Sequence, residues 1–375
     1  MNPELSSFAA HLKGLIANGP ASITGRLFDG LALELFQLQF RHNDVYQKIC
    51  RARGQTPEAV RHWVQIPAVP TSAFKELELT CLPPAERTAV FHSSGTTEQK
   101  PSRHFHGAES LALYETSLWA WFQPNCGLRV ADDELICLTP PSEQAPNSSL
   151  VHMFETIWQR SGGASVRAGR SPFYGRGGSG GAWTLDFESV LAALGNNAKS
   201  EIRNPKLILG TAFSFVHLLD HLAENKLKLQ LPPGSRVMET GGYKNRSRSL
   251  PKAELHALIT EWLGVTPGHI ICEYGMSELS SQAYDSPIQN SKFGVQNLER
   301  QFRFPPWARA QIVSPETGRE VTDGETGLIR IFDLANVFSV AAIQTEDLGV
   351  RRGQGFELVG RASSAESRGC SLMSA

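Results

Sequence analysis

The stretch Ser93-Ser94-Gly95-Thr96-Thr97-Glu98-Gln99-Lys100 sets four hydroxyls around one glycine and follows them with a lysine. Glycine lets the backbone turn tightly and approach a ligand. Hydroxyls and successive N–H groups then form an anion nest, and the lysine adds a point charge. The chemistry such a loop could do is phosphate binding. An ordinary solvated Ser/Thr turn is the competing reading, and the stretch alone does not separate the two. A second chemically able residue is Cys370, a thiol five residues from the end of the chain in AESRGCSLMSA. As a thiolate it would be a nucleophile; on its own it is a free cysteine on a terminus.

A second glycine-rich stretch, Gly175 to Trp183, matches both G-x-G-x-x-G and G-x-S-x-G. Neither match has its required context. No clear strand runs into it, and the helix that follows has its own cap in Asp186. It is expected to be a flexible surface loop. The pattern G-x-x-x-x-G-K-[ST] is absent.

Elements that could position these groups follow from hydrophobic period. ELICLTP, PKLILGT, SRVMETGG and HIICEYG are apolar runs ending in turn residues, and FSFVHLLDHLAENK and PKAELHALITEWLG between them have helical period. Strand–helix alternation predicts mainly parallel sheets covered by helices, with ligands at the C-terminal strand ends. Residues 1–85 read as a helical N-terminal region, including FDGLALELFQLQFRHNDVYQKICRARG as one helical stretch stopping at Gly54. From about 305 to 361 the pattern changes to strand-like runs separated by turns, a small antiparallel β subdomain.

The 375 residues suit one large α/β unit or two ordinary domains. With 41% hydrophobic and 19% charged residues the composition is globular. A net charge of −1 gives no reason to expect nucleic acid or an anionic membrane as partner. No apolar run is long enough to span a bilayer, and no secretory signal pattern opens the chain. The six cysteines form no C-x-x-C pair and no zinc spacing; scattered thiols without a signal suggest a reducing cytoplasm.

Ser93 to Thr97 resembles the phosphate loop of adenylate-forming enzymes, S-S-G-T-T-G-x-P-K, with Glu98 in place of the second glycine and Lys100 before Pro101. Three more elements follow in that family's order. ETGGY at Glu239–Tyr243 resembles the glycine-bearing strand end beside adenine. EYGMSE at Glu273–Glu278 resembles Y-G-x-T-E, with Ser277 in the threonine position. QTEDLG…GFELVGR resembles the T-G-D segment and its following G-R, with Asp347 and Arg361 on the motif positions and Glu346 on a glycine position. Such enzymes continue beyond the G-R into a mobile C-terminal domain, which is expected to be absent here. That short ending, PNSSLVHMF, FDLAN and RGCSLM together resemble the acyl-protein synthetase family of the bacterial fatty acid reductase complex.

The resemblance implies an adenylation domain over residues 1–361 and a mobile tail, 362–375, carrying Cys370. It implies ATP and Mg²⁺, a carboxylic (fatty) acid substrate, and a reductase partner. Ser93, Ser94, Gly95, Thr96, Thr97 and Lys100 would hold phosphates. Glu278 would bind the metal, beside Ser277 and Gly275; Gly241, Gly242 and Tyr274 would lie against adenine. Asp347 would bind ribose, and Arg361 ribose or α-phosphate. Cys370 would accept the acyl group. His152 or His92 could activate the thiol, and Lys244 could stand in for the lysine of the missing domain. The nine residues from Arg361 to Cys370 could reach roughly 30 Å when extended. Two other readings stay open. One is a coenzyme A or carrier-protein ligase in which Cys370 is incidental. The other is a non-catalytic nucleotide-binding scaffold, favoured by the charges of Glu98 and Glu346.

Overall fold

The computed structural model describes residues 2–93, 100–129, 132–162, 171–178, 183–195, 204–241, 250–287 and 300–362. Ser94, Gly95, Thr96, Thr97, Gly242, Lys244 and Cys370, all singled out above, lie outside the described residues. The chain divides into two compact units: residues 1–90, 102–117 and 278–375, and residues 91–101 and 118–277. The fold is α/β.

The unit built around residues 118–277 is a parallel sheet. Strands Glu134–Cys137, Lys206–Thr211, Arg236–Thr240 and Ile270–Tyr274 lie side by side in that order, each pair parallel. Every residue of Lys206–Thr211 and of Ile270–Tyr274 is buried, as expected of strands covered on both faces. The crossovers carry helices Ala212–Glu224 and Lys252–Leu263. The first is started by Thr211, whose Oγ1 accepts from the Ser214 N–H at 3.0 Å. The second is ended by Gly264 at φ +70°. Ile136, Ile208, Phe215, Leu219, Val237, Ile259 and Leu263 form the core between sheet and helices.

The other unit is centred on an antiparallel sheet. Its strands run Ala308–Val313, Thr326–Asp333, Ala342–Arg352, Gly355–Arg361, Arg300–Arg303 and Ala283–Pro287 in spatial order. It takes in more strands than the turn-rich last fifth of the sequence suggests, because Ala283–Pro287 and Arg300–Arg303 add to it. The N-terminal residues are tied to it: Val69 pairs with Ile343 in a parallel bridge. Helix Gly25–His42 buries Phe28, Leu31, Leu35 and Phe36.

Two local expectations change. The stretch ending at Gly54 is two helices, Gly25–His42 and Asp44–Ala52. Asn43 breaks them, because its side chain accepts from the Tyr46 N–H at 3.0 Å and starts a new helix. The glycine stretch is in part packed strand rather than flexible surface loop. Gly175–Gly177 pairs with Trp183–Leu185, and Gly175 is buried so tightly that a Cβ would lie 2.3 Å from the Thr139 carbonyl carbon. The cap at Asp186 is present: its Oδ1 accepts from the Ser189 N–H at 3.2 Å.

Candidate functional site

In the parallel unit, the strand register brings two sequence-selected segments together. Glu239 is opposite Cys272 and Thr240 opposite Glu273, so the strand ends at Thr240 and Tyr274 lie side by side at the C-terminal edge, where parallel sheets bind ligands. Gly241 leaves the strand at φ +71°, a turn that a side chain would strain. Tyr274 is buried, and Gly275 after it is exposed. Ser277 is buried.

The same edge holds two buried carboxyls that sequence reasoning passed over. Glu239 and Glu273 are 3% and 5% exposed. The Glu273 carboxyl is pushed up to about 7, first by burial and further by the negative charge of Glu239, against a hydrogen bond from Thr240 that pulls it down. The Thr240 hydroxyl donates to Glu273, and His256 Nε2 lies 3.2 Å from Glu239 Oε1. Glu239 and Glu273 lie inside quoted motifs, but they read as strand residues because burial is not visible in sequence.

Elsewhere in this unit, Ser93 is half-buried and Lys100 exposed. His152 lies in the first turn of helix Ser149–Arg160, capped by Ser148, and its ring is 5.3 Å from that of Phe91. The His92 N–H donates to the Asn147 carbonyl at 2.8 Å. Gly210 permits close packing, since a Cβ would come 3.0 Å from the Phe215 ring and 3.2 Å from Leu138.

In the antiparallel unit, Glu278 is 4% exposed and opens a wholly buried segment, Glu278–Gln282. Asp347 and Arg361 are register partners on adjacent strands, with Arg361 Nε 3.2 Å from Asp347 Oδ1. The guanidinium is 79% exposed while the carboxylate is mostly covered. The pair thus offers one fixed acceptor and one cation free to re-aim.

Among the described residues, no three His, Cys, Asp or Glu side chains converge on a metal. A single carboxylate such as Glu278 suits a Mg²⁺ that arrives on a nucleotide, because Mg²⁺ commonly takes one or two protein carboxylates and completes its shell with phosphates and water. The described cysteines are poor nucleophiles. Cys50, Cys126, Cys137 and Cys272 are buried. Burial pushes the Cys81 thiol up to about 12, Cys50 to about 11, and Cys137 well above its ordinary range.

A sequence profile described as "Acyl-protein synthetase, LuxE" matches residues 171–375, more than half of the chain. The chain belongs to the LuxE family of acyl-protein synthetases. Among its curated relatives are long-chain-fatty-acid–luciferin-component ligases of Aliivibrio fischeri and Vibrio harveyi. Each is 25% identical, over 92% and 93% of this chain respectively and 86% of the relative. The fold matches 2-hydroxyisobutyryl-CoA ligase in its postadenylation state with 2-HIB-AMP, at TM-score 0.64, 15% identity, and coverage of 90% of this chain and 67% of that one. The same ligase in its thioesterification state matches at TM-score 0.63 and 16% identity, over 91% and 70%. A LuxE-family chain is thus laid on the fold of adenylate-forming ligases, as its motifs implied. Among the described residues no helix is long and apolar enough to cross a membrane.

Proposed function

We propose that this protein uses ATP to activate a long-chain fatty acid as its acyl-adenylate and then loads the acyl group on Cys370 as a thioester. The observation that carries the reading is a pairing of two facts. The LuxE match runs through the segment holding Cys370, while the described cysteines are buried or have thiols pushed far above neutrality. The fatty substrate is supported by the curated relatives' names.

In the first half-reaction a carboxylate oxygen attacks the α-phosphorus of ATP, a new P–O bond forms, and pyrophosphate leaves. The protein's work is positioning and charge neutralisation. Ser93, Ser94, Gly95, Thr96, Thr97 and Lys100 would hold the β- and γ-phosphates. Gly241, Gly242 and Tyr274 would bound the adenine, and Asp347 would accept from the ribose hydroxyls. Arg361 would turn from Asp347 toward ribose or α-phosphate. Mg²⁺ held by Glu278, next to Ser277, would offset the charge on the departing pyrophosphate. In the second half-reaction the Cys370 thiolate attacks the acyl carbon, the bond to AMP breaks, and AMP leaves. The Cys370 proton needs an acceptor or a nearby cation, for which His152 or His92 is the candidate, while Lys244 would supply a cation to the first half-reaction. A reductase-type protein would then take the acyl group from the thioester, and both would work in the cytoplasm.

The test is acid-dependent ATP–pyrophosphate exchange across fatty acids of graded length, run with and without coenzyme A. Exchange with a fatty acid, and no acyl-CoA formed, is the expected result. Stoichiometric acyl-CoA formation would instead establish a coenzyme A ligase. No exchange with any acid would leave a nucleotide-binding scaffold.

A further inference from the structure

The segment Phe332–Ile343 is buried throughout although it is mostly loop. Buried loop backbone must find hydrogen bonds internally; here it finds them in the loop itself, Trp307, Cys81 and Gln39, which leaves the side chains of Asp333 and Asn336 to reach Glu278–Ser281. Asp333, 0% exposed, accepts the Ser280 N–H at 2.9 Å on Oδ2. Its Oδ1 accepts the Ser281 hydroxyl at 2.7 Å and the Ala335 N–H at 3.0 Å. Behind Ser281 stands Ser117, Oγ to Oγ 3.0 Å, and the Trp307 indole N–H donates to Ser117 at 2.7 Å. Each hydroxyl has one proton. Since Ser281 gives its own to Asp333, Ser117 must give its own to Ser281, so the chain runs one way from Trp307 to the carboxylate. Asn336, 1% exposed, donates through Nδ2 to the Glu278 carbonyl at 2.8 Å. Its own carbonyl accepts from Gln39 Nε2 at 2.7 Å, which ties it to helix Gly25–His42. The Gln39 Oε1 in turn accepts the Ala341 N–H at 3.1 Å.

We propose that Asp333 and Asn336 are positioning residues of the activation step, a buried two-point clamp that holds the Glu278 backbone and so fixes where its carboxylate meets the nucleotide-borne metal. The proposal rests on the metal role given to Glu278 above. A loop carrying one carboxylate to a moving phosphate charge needs sub-ångström placement, and helices and strands supply it better than a bare turn. Two anchors at Glu278 and Ser280, backed by Gln39 and Trp307, give the loop that rigidity.

The test is the Mg²⁺ dependence of ATP–pyrophosphate exchange by the full chain with a fatty acid, for Asn336→Ala, Ser281→Ala, Ser339→Ala and Glu278→Gln. Ser339 is in the same buried turn but donates to the Leu79 carbonyl instead, at 2.8 Å, so its variant is the stability control. Asn336→Ala is expected to lower the saturated exchange rate about tenfold and to raise the half-saturating Mg²⁺ several-fold. Ser281→Ala, the milder cut, moves both in the same direction and carries the test should Asn336→Ala not fold. Ser339→Ala lowers the melting temperature and leaves the Mg²⁺ curve where it was. The clamp is overturned if Asn336→Ala and Ser281→Ala keep the wild-type curve, or if Ser339→Ala shifts it equally. Loss in Glu278→Gln without loss in the clamp variants removes the clamp alone. A wild-type curve in Glu278→Gln removes the metal role and the proposal with it.

Discussion

The two units surround a buried carboxyl with different partners. In the antiparallel unit, Asp333 is surrounded by donors: two backbone N–H groups, the Ser281 hydroxyl, and the hydroxyl chain behind it. Burial still pushes its carboxyl up to about 6, but those donors restrain the rise. In the parallel unit, Glu273 receives a hydroxyl from Thr240 and faces the like charge of Glu239, and it is pushed up to about 7. Donors rigidify a charge, whereas a like neighbour leaves a group ready to take a proton. The antiparallel unit is therefore a holder, and the edge of the parallel sheet is electrostatically adjustable.

The largest effect that could break this contrast is at Glu278. Glu278→Gln keeps the shape and removes the charge, and fatty-acid-dependent pyrophosphate exchange should fall at least 100-fold, in the range seen for loss of a single charge-stabilising group. A fall under threefold would mean that the holder holds nothing catalytic.

Next in size is the pH dependence of stability. The carboxyl of Glu273 is raised on folding, so its folded form binds a proton more tightly than the unfolded chain does. Its contribution is fully present below about 4.5 and is lost as pH rises through about 7. Glu273→Gln should therefore gain stability over the wild type as pH rises from 5 to 8, by on the order of 2–3 kcal/mol. Parallel denaturation curves of the two proteins across that range would remove the adjustable character of the sheet edge.

A packing change tests the parallel unit from another side. Gly210→Ala sets a methyl against Phe215 and Leu138 and should cost about 1–3 kcal/mol in chemical denaturation. The smallest effect is at Arg361→Ala. The ion pair with Asp347 is largely solvent-exposed on the arginine side, so stability should change by less than about 1 kcal/mol, while the KM for ATP rises several-fold. A large loss of stability with an unchanged KM would make the pair structural.

Physical causes separate what the sequence revealed from what it hid. Lys206–Thr211 and Ile270–Tyr274 were legible because a strand covered on both faces is a continuous apolar run. The pairing of Ile270–Tyr274 with Arg236–Thr240 also set the Glu239–Thr240 strand end beside Glu273. The bounds of Ala342–Arg352 are not legible inside the predicted β subdomain, because AIQTEDLGVRR mixes charged and apolar residues with no clean alternation. Asn43 hid a helix break, since its capping role depends on a side-chain hydrogen bond rather than on period. Asp333 and Asn336 were quoted only inside FDLAN as a family likeness. Their work depends on partners some 50 residues away in sequence, Ser280 and Glu278, and no local pattern encodes that distance.

The account stands most directly on Cys370. Full-length wild-type protein and Cys370→Ser should each be incubated with ATP, Mg²⁺ and a long-chain fatty acid, and their intact masses read before and after hydroxylamine. The account predicts a hydroxylamine-labile acyl adduct on the wild type alone, with pyrophosphate exchange retained by Cys370→Ser. An adduct of equal yield on both proteins would contradict it.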